Sequence, residues 1–426
     1  MITSQNKKSQ ALLLIFLAWL TYMVSYFGKV NYSANITQII DFYGVTKVQA
    51  GTAPTFFFFA YGVGQVVNGL LCKKYNIKWM VFGSLTVSAI INLIIAVTTD
   101  FAIIKWLWLI NGISMSVLWP TLIRMLAESL PQASLGKSSV IMGTTVALGT
   151  LIIYGLSSVY AAISQFKLAF YTAAFSMAAV SAVWLCLYNK ATMAAKAVRA
   201  DEVTAQSAKA KVEQTQQKSD SRKLFLATVG TLCFCAVGGN LIKDGLTTWV
   251  PSILKEEFGM PDALSILLTL FLPILAVFAN AIALKIHNKI PDYVNQTTVT
   301  FTLIAVVIGL ILISLKLKFV VVMLVSLIAA NFLASTINSL LTSIFPMFMR
   351  GKVNSGMIAG VINGFCYLGS TISSYGLGAI ADHFGWNAVF WTLLGFCGLV
   401  CIVWLAYAVL KQYTKKTAKV QSKPCA

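Results

Sequence analysis

The sequence predicts an all-α integral membrane protein with twelve transmembrane helices, arranged as two pseudo-symmetric bundles of six. Three observations lead to this fold class. Hydrophobic residues make up 58% of the 426 residues and charged residues only 11%, with a mean hydropathy of +0.80. Apolar segments recur that are long enough to cross a ~30 Å hydrocarbon core, which takes about 20 residues each. A polar stretch divides these segments into two groups of equal number.

The twelve apolar segments predict the order of the helices. They lie near 11–36, 50–71, 79–98, 101–127, 138–163 and 167–189, and then near 223–253, 263–284, 294–315, 318–345, 353–381 and 385–410. Between the two groups the composition becomes rich in Ala, Gln and Lys. The sequence therefore predicts an N-terminal six-helix bundle at 1–189, a cytoplasmic linker at 190–222, and a C-terminal bundle with a cytoplasmic tail at 223–426.

Basic residues predict how the chain lies in the membrane. Cytoplasmic loops collect Lys and Arg, whereas exported loops do not. Placing the N-terminus in the cytoplasm puts Lys73, Lys74, Lys137, Lys352 and the linker on that side. Both termini are then cytoplasmic, and the location is the cell (inner) membrane. The net charge of +19 is spread over short segments, so the charge indicates a lipid bilayer as partner and no nucleic acid.

The two halves repeat each other in sequence. Pro131 with Gly136-Lys137 recurs as Pro346 with Gly351-Lys352, at an offset of 215 residues. A duplicated six-helix unit with both copies in the same orientation is an arrangement of secondary transporters, which bind substrate near the bilayer midplane where the repeats meet.

Lys29 and Lys243 occupy matching places in this repeat, 214 residues apart, near the ends of apolar segments. An ionisable side chain at membrane depth is costly and marks a functional site by default. Two cations facing one cavity would bind an anion. The alternative is that each lysine extends to the lipid headgroups, because Lys29 lies about 27 Å beyond Ala11 at the rise of a helix. Tyr22 and Tyr26, on the same helical face as Lys29, favour the binding site.

Other polar residues suggest no catalytic chemistry. His287 and His383 fall in predicted loops, and Arg124 with Glu128 has the spacing of a structural ion pair within one helix. Phe56–Phe59 is interpreted as a lipid-facing run. No nucleophile with a base, no metal-ligand cluster and no phosphate-binding glycine loop is recognisable, so the sequence predicts neither an enzyme nor a cofactor. A monomer is expected.

The first segment carries a pattern of two tyrosines, a basic residue and then Asn-aromatic, in Tyr22, Tyr26, Lys29 and Asn31-Tyr32. Further blocks of the same kind are Tyr61-Gly62, Trp119-Pro120 with Arg124, Lys243 with Trp249 and Pro251, and Tyr367-Leu368-Gly369. With these residues the chain resembles the major facilitator transporters. Within them it is similar to the antiporters that exchange glycerol 3-phosphate or hexose phosphates for inorganic phosphate. The resemblance covers nearly the whole chain apart from the linker and the tails.

The resemblance implies a site and a mechanism. The implied substrate-binding residues are Lys29, Lys243, Tyr22, Tyr26, Tyr61, Gln65 and Tyr367. The implied substrate is a small anionic solute, a phosphorylated sugar or glycerol phosphate, with inorganic phosphate as counter-substrate. Transport would proceed by rocker-switch alternating access. The chain departs from the family in having lysines where arginines are usual, and Lys lacks the planar fork of Arg. It also has Gln65 where the family has a lysine.

Two other functions stay open. One is a proton-coupled organic-anion (carboxylate) symporter, and the other is a transporter-like membrane sensor of sugar phosphates. A proton-coupled carrier needs a titratable group in its pathway. Asp244 is adjacent to Lys243 and is expected to point about a quarter-turn away from it, so exchange is preferred over symport.

Overall fold

The computed structural model describes residues 4–71, 76–130, 132–206, 222–345 and 355–421, and its regular elements there are all helices. Their bounds are α1 Ser4–Ser25, α2 Phe27–Ala34, α3 Ile36–Tyr43, α4 Lys47–Leu71, α5 Ile77–Val97, α6 Phe101–Met115, α7 Leu118–Ser129, α8 Gln132–Ala162, α9 Lys167–Gln206, α10 Arg222–Phe258, α11 Asp262–Thr269, α12 Phe271–Ala276, α13 Ala279–Lys289, α14 Tyr293–Leu317, α15 Val320–Ser339 and α16 Ser355–Gln421. The predicted all-α membrane class is therefore confirmed.

Nine helical segments in the described residues are long and apolar enough to cross a membrane. A tenth is added if Asp262–Ala276 and Ala279–Lys289, bent by 43°, form one span. The segment Gly360–Gln412 has 53 residues, more than twice the length that one crossing needs. Its helix is interrupted at Gly385, whose φ of 76° and ψ of 173° suit only glycine. The total of twelve spans stays a prediction.

Short polar residues begin several of these helices. The side chains of Asn76 and Asp100 accept hydrogen bonds from the first backbone N–H groups of α5 and α6. Asp292 does the same for α14 and also accepts a hydrogen bond from Lys411. Burial raises the pKa of the Asp292 carboxyl, but the Lys411 ammonium and the backbone N–H donors outweigh burial and hold this pKa below its usual value. These caps satisfy backbone donors where the chain enters an apolar segment.

The part of the chain predicted as a linker is helical at its start, because α9 continues to Gln206. Residues 207–221 lie outside the described part. By their proximity in space, Met1–Gln214 and Thr248–Val277 form one compact unit, and Thr215–Thr247 and Phe278–Ala426 form the other. The division between the units thus falls inside α10.

Polar contacts explain why the end of α10 belongs to the first unit. Lys255 contacts Asp41 of α3 and lies 3.1 Å from a carboxylate oxygen of Asp262. The Lys47 ammonium at the start of α4 lies 3.1 Å from Glu256. Ion pairs this exposed contribute at most about 1 kcal/mol each, so they orient helix ends more than they stabilise the fold.

Each unit has its own aromatic core. In the first, the buried Trp108 ring lies 5.5 Å from Tyr32 and 6.2 Å from Phe170, between centroids. In the second, the buried Phe301 ring lies 6.4 Å from the half-buried Phe396, which stacks on Phe234 at 5.1 Å. Large buried rings remove much apolar surface from solvent or lipid and fix how the helices pack.

Both predictions that placed histidines in loops are wrong. His287 is buried in the last turn of α13, where its Nδ1 lies 3.2 Å from the Gln296 side-chain oxygen and its ring stacks on Tyr293 at 4.6 Å. His383 lies within α16, because the helix continues to the break at Gly385. The predicted ion pair of Arg124 and Glu128 is confirmed, with 2.7 Å between Nε and Oε1.

Candidate functional site

Aromatic rings surround the ammonium group of Lys29. Its Nζ lies 4.1 Å from the ring centroid of Tyr61, 5.0 Å from that of Tyr26 and 5.9 Å from that of Phe57. All four residues belong to the first unit, and Lys29 lies within the candidate span Leu12–Ala34. An aromatic face attracts a cation by its quadrupole and carries no net charge. The ring contacts therefore favour a cation at this place in the span.

The predicted tyrosines of the first half lie around this lysine. The hydroxyl oxygens of Tyr22 and Tyr61 are 3.5 Å apart, and the Tyr22 ring contacts Tyr26 edge-on at 5.6 Å. Tyr22 also lies 4.7 Å from the ring of Trp119. The structure thus brings together Tyr22, Tyr26, Tyr61 and Lys29. Their role as substrate ligands stays a prediction.

The interpretation of Phe56–Phe59 as wholly lipid-facing is wrong for Phe57. Phe57 is buried, stacks on Tyr61 at 5.6 Å and contributes a face toward Lys29, whereas Phe59 is exposed. Consecutive residues on a helix point about 100° apart, so four adjacent phenylalanines cannot share one environment. The four-residue spacing between Phe57 and Tyr61 could have revealed their common face.

The regular helix is interrupted just before Lys29. The first predicted segment, 11–36, is broken at Tyr26, between α1 and α2. The backbone N–H groups of Lys29 and Val30 both donate to the Tyr26 carbonyl, at 3.2 and 3.1 Å. Lys29 therefore lies in the first turn after the break, and the position of α2 sets the position of its ammonium.

Buried amides hold α2 in place. Asn111 of α6 donates to the Gly28 carbonyl at 2.8 Å and accepts from the Ser88 hydroxyl at 2.6 Å. Asn31 donates to the side-chain oxygen of Asn92 at 2.8 Å, and Asn92 donates to the Ser88 carbonyl. A buried network with its partners satisfied is rigid and specifies one arrangement. It fixes the residue immediately before Lys29.

Gly149 of α8 lets this helix approach the break closely. A Cβ at Gly149 would lie 2.5 Å from the Met23 carbonyl oxygen and 2.7 Å from Cβ of Tyr26. Neither atom is the end of a flexible side chain, so a methyl group there would displace the backbone beside Tyr26. Gly143 and Gly155 on the same helix have no atom within 4 Å of such a Cβ.

We expect Gly149→Ala to cost about 1–3 kcal/mol of folding free energy by overpacking and to weaken anion binding, because Tyr26 moves. Gly143→Ala and Gly155→Ala are the matched controls. They should be neutral or slightly stabilising, since Ala is the better helix former by about 1 kcal/mol. Thermal unfolding of the purified proteins in detergent measures the difference. Equal melting temperatures for all three variants would contradict the described packing.

Lys243 lies in the second unit, within α10, and its surroundings differ from those of Lys29. Its Nζ lies 3.1 Å from Oδ1 of Asp244. The expectation that Asp244 points away is wrong, because the long flexible stem of a lysine reaches a neighbouring carboxylate. The other oxygen of Asp244 accepts a hydrogen bond from Ser370 of α16. The Lys243 carbonyl accepts from Asn331 at 2.9 Å.

Close contact between α10 and α16 brings Ser370 to Asp244. A Cβ at the neighbouring Gly369 would lie 2.1 Å from the Val237 carbonyl oxygen, so only glycine permits this approach. Tyr367 is half-buried three residues before Ser370, on the same side of α16. Gln65 is half-buried one turn beyond Tyr61 on α4. Among the described contacts, none joins Gln65 to Lys29.

The family of the chain is shown by its sequence. The family model of the Major Facilitator Superfamily matches residues 18–359, so the chain belongs to this superfamily. It is a multi-pass membrane protein of a transporter superfamily and not a member of an enzyme family.

Curated relatives match over short stretches. The chain is 26% identical over 94 residues to the membrane sensor protein UhpC of Escherichia coli, which is 22% of this chain and 21% of that protein. It is 27% identical over 92 residues to the human sugar phosphate exchanger 3, covering 20% and 19% of the two chains. A probable hexose phosphate transport protein of Chlamydia pneumoniae is 19% identical over 127 residues, covering 30% and 28%. The chain thus matches less than a third of each relative's length.

Solved structures agree on the fold across nearly the whole chain. A D-xylose–proton symporter matches with a TM-score of 0.69 at 12% identity, covering 92% of this chain and 97% of that one. A bacterial homologue of the human lysosomal transporter Spinster, in an inward-facing and occupied conformation, matches with a TM-score of 0.68 at 12% identity, covering 93% and 96%. These similarities show a shared fold and carry no information about substrate.

Proposed function

We propose that this transporter carries a phosphorylated sugar or glycerol phosphate across the cell (inner) membrane in exchange for inorganic phosphate, by rocker-switch alternating access. Its termini are cytoplasmic in this proposal, and the moving bodies are the six-helix halves at 1–189 and 223–426. The substrate is bound by Lys29 and Lys243 with Tyr22, Tyr26, Tyr61, Gln65 and Tyr367. The protein works as a monomer.

One observation carries the proposal: a lysine within an apolar span, with its ammonium against the faces of Tyr26, Phe57 and Tyr61. Ionisable groups inside a membrane protein mark substrate pathways. A cation held by rings suits an anionic ligand, and the Tyr22 and Tyr61 hydroxyls can donate hydrogen bonds to its oxygens. The names of the relatives, which include a sugar phosphate exchanger and a hexose phosphate transport protein, support phosphate esters.

The choice of lysine affects which anions are accepted. Arg binds phosphate through two parallel hydrogen bonds, whereas Lys acts as a compact point charge. The site therefore selects charge more than the planar geometry of the anionic group. We expect several phosphate esters of similar size to compete with each other, and uncharged sugars to compete with none of them.

Uptake by reconstituted protein tests the substrate class. Proteoliposomes loaded with inorganic phosphate should accumulate labelled hexose phosphate or glycerol phosphate at least tenfold faster than the corresponding uncharged sugar or glycerol. Liposomes without protein give the background, and a dicarboxylate tests the carboxylate alternative. Faster uptake of the dicarboxylate than of every phosphate ester would contradict the proposed substrate.

A second candidate function is a sensor of sugar phosphates, favoured by the similarity to the membrane sensor protein UhpC. A sensor and a transporter could share the same anion site. The two functions separate experimentally: a sensor binds the phosphate ester to the purified protein but gives no uptake above background, whereas a transporter does both.

A further inference from the structure

We propose that Asp244 is the resident counter-ion of Lys243 and determines which anion valence the transporter prefers. This inference rests on the proposed function as an anion carrier. Asp244 is held from two sides, since its Oδ1 lies 3.1 Å from the Lys243 ammonium and its Oδ2 accepts from the Ser370 hydroxyl. A carboxylate fixed in this way is part of the site and contributes its charge to any bound anion.

The support for Asp244 extends across three helices of the second unit. Ser370 is fully buried on α16, and its oxygen lies 3.5 Å from the Asn240 amide nitrogen. The Asn240 oxygen accepts from Asn338 of α15 at 2.7 Å. On the other side, Asn331 of α15 holds the Lys243 carbonyl. Networks of this kind restrict a carboxylate to one rotamer, so Asp244 is built into place beside the lysine.

Asp244 lowers the net positive charge of the proposed site. Lys29 and Lys243 would present two positive charges, but with Asp244 ionised the three groups sum to one. Each negative charge on a ligand near Lys243 is then repelled by Asp244, and a dianion experiences twice the repulsion of a monoanion. Asp244 therefore reduces the advantage of dianions, which the two lysines alone would favour.

Partial exposure of the pair keeps the effect of Asp244 on anion affinity small enough to measure as a change in dissociation constant. The side chains of Lys243 and Asp244 are 26% and 16% exposed, so both are accessible to a ligand and partly screened. At such a site a unit charge several ångströms away changes anion affinity by about tenfold per ligand charge. Removing the charge of Asp244 should thus strengthen monoanion binding about tenfold and dianion binding about a hundredfold.

Two probes of equal shape and fixed valence test this. Methyl phosphate is a dianion at pH 8, because the second pKa of a phosphate monoester is about 6, and methyl sulfate is a monoanion of similar size. Dissociation constants of both are measured by calorimetry on the full-length purified protein. In Asp244→Asn, which keeps the shape of the side chain, the preference for methyl phosphate over methyl sulfate should rise about tenfold relative to wild type.

Three variants control for indirect effects. Asp244→Glu keeps the charge and should keep the wild-type preference. Asp382→Asn removes one negative charge from α16, twelve residues beyond Ser370, and should leave the preference unchanged. Ser370→Ala removes a hydrogen bond to Asp244 but no charge, so its preference should change less than that of Asp244→Asn.

Failure of the inference about Asp244 and failure of the proposed anion carrier give different results. If Asp244→Asn changes the affinity for both probes by the same factor, or weakens both while the protein stays folded, Asp244 does not act through valence and the inference is wrong. If wild type binds neither probe although its thermal unfolding is normal, the proposed anion carrier itself fails. A tenfold shift confined to Asp244→Asn supports the inference.

Discussion

Replacing Lys29 by Ala is expected to reduce the kcat/KM of anion uptake at least about thirtyfold, and Lys243→Ala is expected to do the same. A unit charge pair ~4 Å apart is worth about 4 kcal/mol at an effective dielectric constant of about 20. Roughly half of this remains when partial exposure is allowed for, and about 1.4 kcal/mol corresponds to a factor of ten. Initial rates of uptake into phosphate-loaded proteoliposomes measure the loss.

Matched controls separate loss of charge from loss of structure. Lys29→Arg and Lys243→Arg keep the charge and should retain most of the uptake. Lys105→Ala removes another lysine that lies over an aromatic ring, 5.6 Å from the centroid of Trp106, and should transport like wild type. If both alanine variants of the candidate lysines transport at near wild-type rates, Lys29 and Lys243 are interfacial anchors and the site is elsewhere.

Hydropathy was sufficient to predict the fold class, because a chain in lipid must satisfy its backbone hydrogen bonds internally and helices do so within one segment. The same physics makes Lys29 and Lys243 candidates for the site, since a charge inside an apolar segment is costly. Helical spacing was sufficient to predict that Tyr22 and Tyr26 lie on the same helical face as Lys29. In these cases the signal is local in the chain, so a single sequence carries it.

The surroundings of the two lysines could not be predicted, because they depend on side chains distant in sequence. The break at Tyr26 contains no proline that would predict it. The backbone just after the break is held by Asn111, which donates to the Gly28 carbonyl from 83 residues away in the sequence. The motif that contains Trp119 does not predict its contact with Tyr22. A run of four identical residues does not indicate that Phe57 is the one that faces inward.

The repeat predicts equivalent positions but not equivalent environments. Lys29 is held against aromatic faces, whereas Lys243 is paired with the carboxylate of Asp244. A ring leaves the charge of a lysine in place, while a carboxylate offsets it. In the proposed site, Asp244 therefore reduces the positive charge that the second half presents to an anion, whereas the residue that follows Lys29 is the uncharged Val30.

Transport is expected to be exchange, so that inorganic phosphate inside the vesicle accelerates uptake of an external phosphate ester by tenfold or more. In the proposed site, Lys29, Lys243 and Asp244 together would carry net positive charge, which a bound anion would compensate. Enclosing that charge without an anion costs free energy because ions are poorly solvated in an apolar interior. The empty transporter should therefore reorient its site across the membrane slowly, and the phosphate-loaded transporter should reorient it fast.

A comparison of loaded and unloaded vesicles at equal pH measures this directly, with chloride-loaded vesicles as the control for ionic strength. An imposed pH gradient should act mainly through the ionisation of the substrate, because Asp244 is engaged by Lys243 and Ser370 and is poorly placed to release a proton on each cycle. Asp244→Asn should accordingly keep phosphate-driven exchange. If a pH gradient alone drives accumulation into unloaded vesicles and Asp244→Asn stops it, exchange is the wrong mechanism. Asp244 would then be the proton-carrying group of an organic-anion symporter.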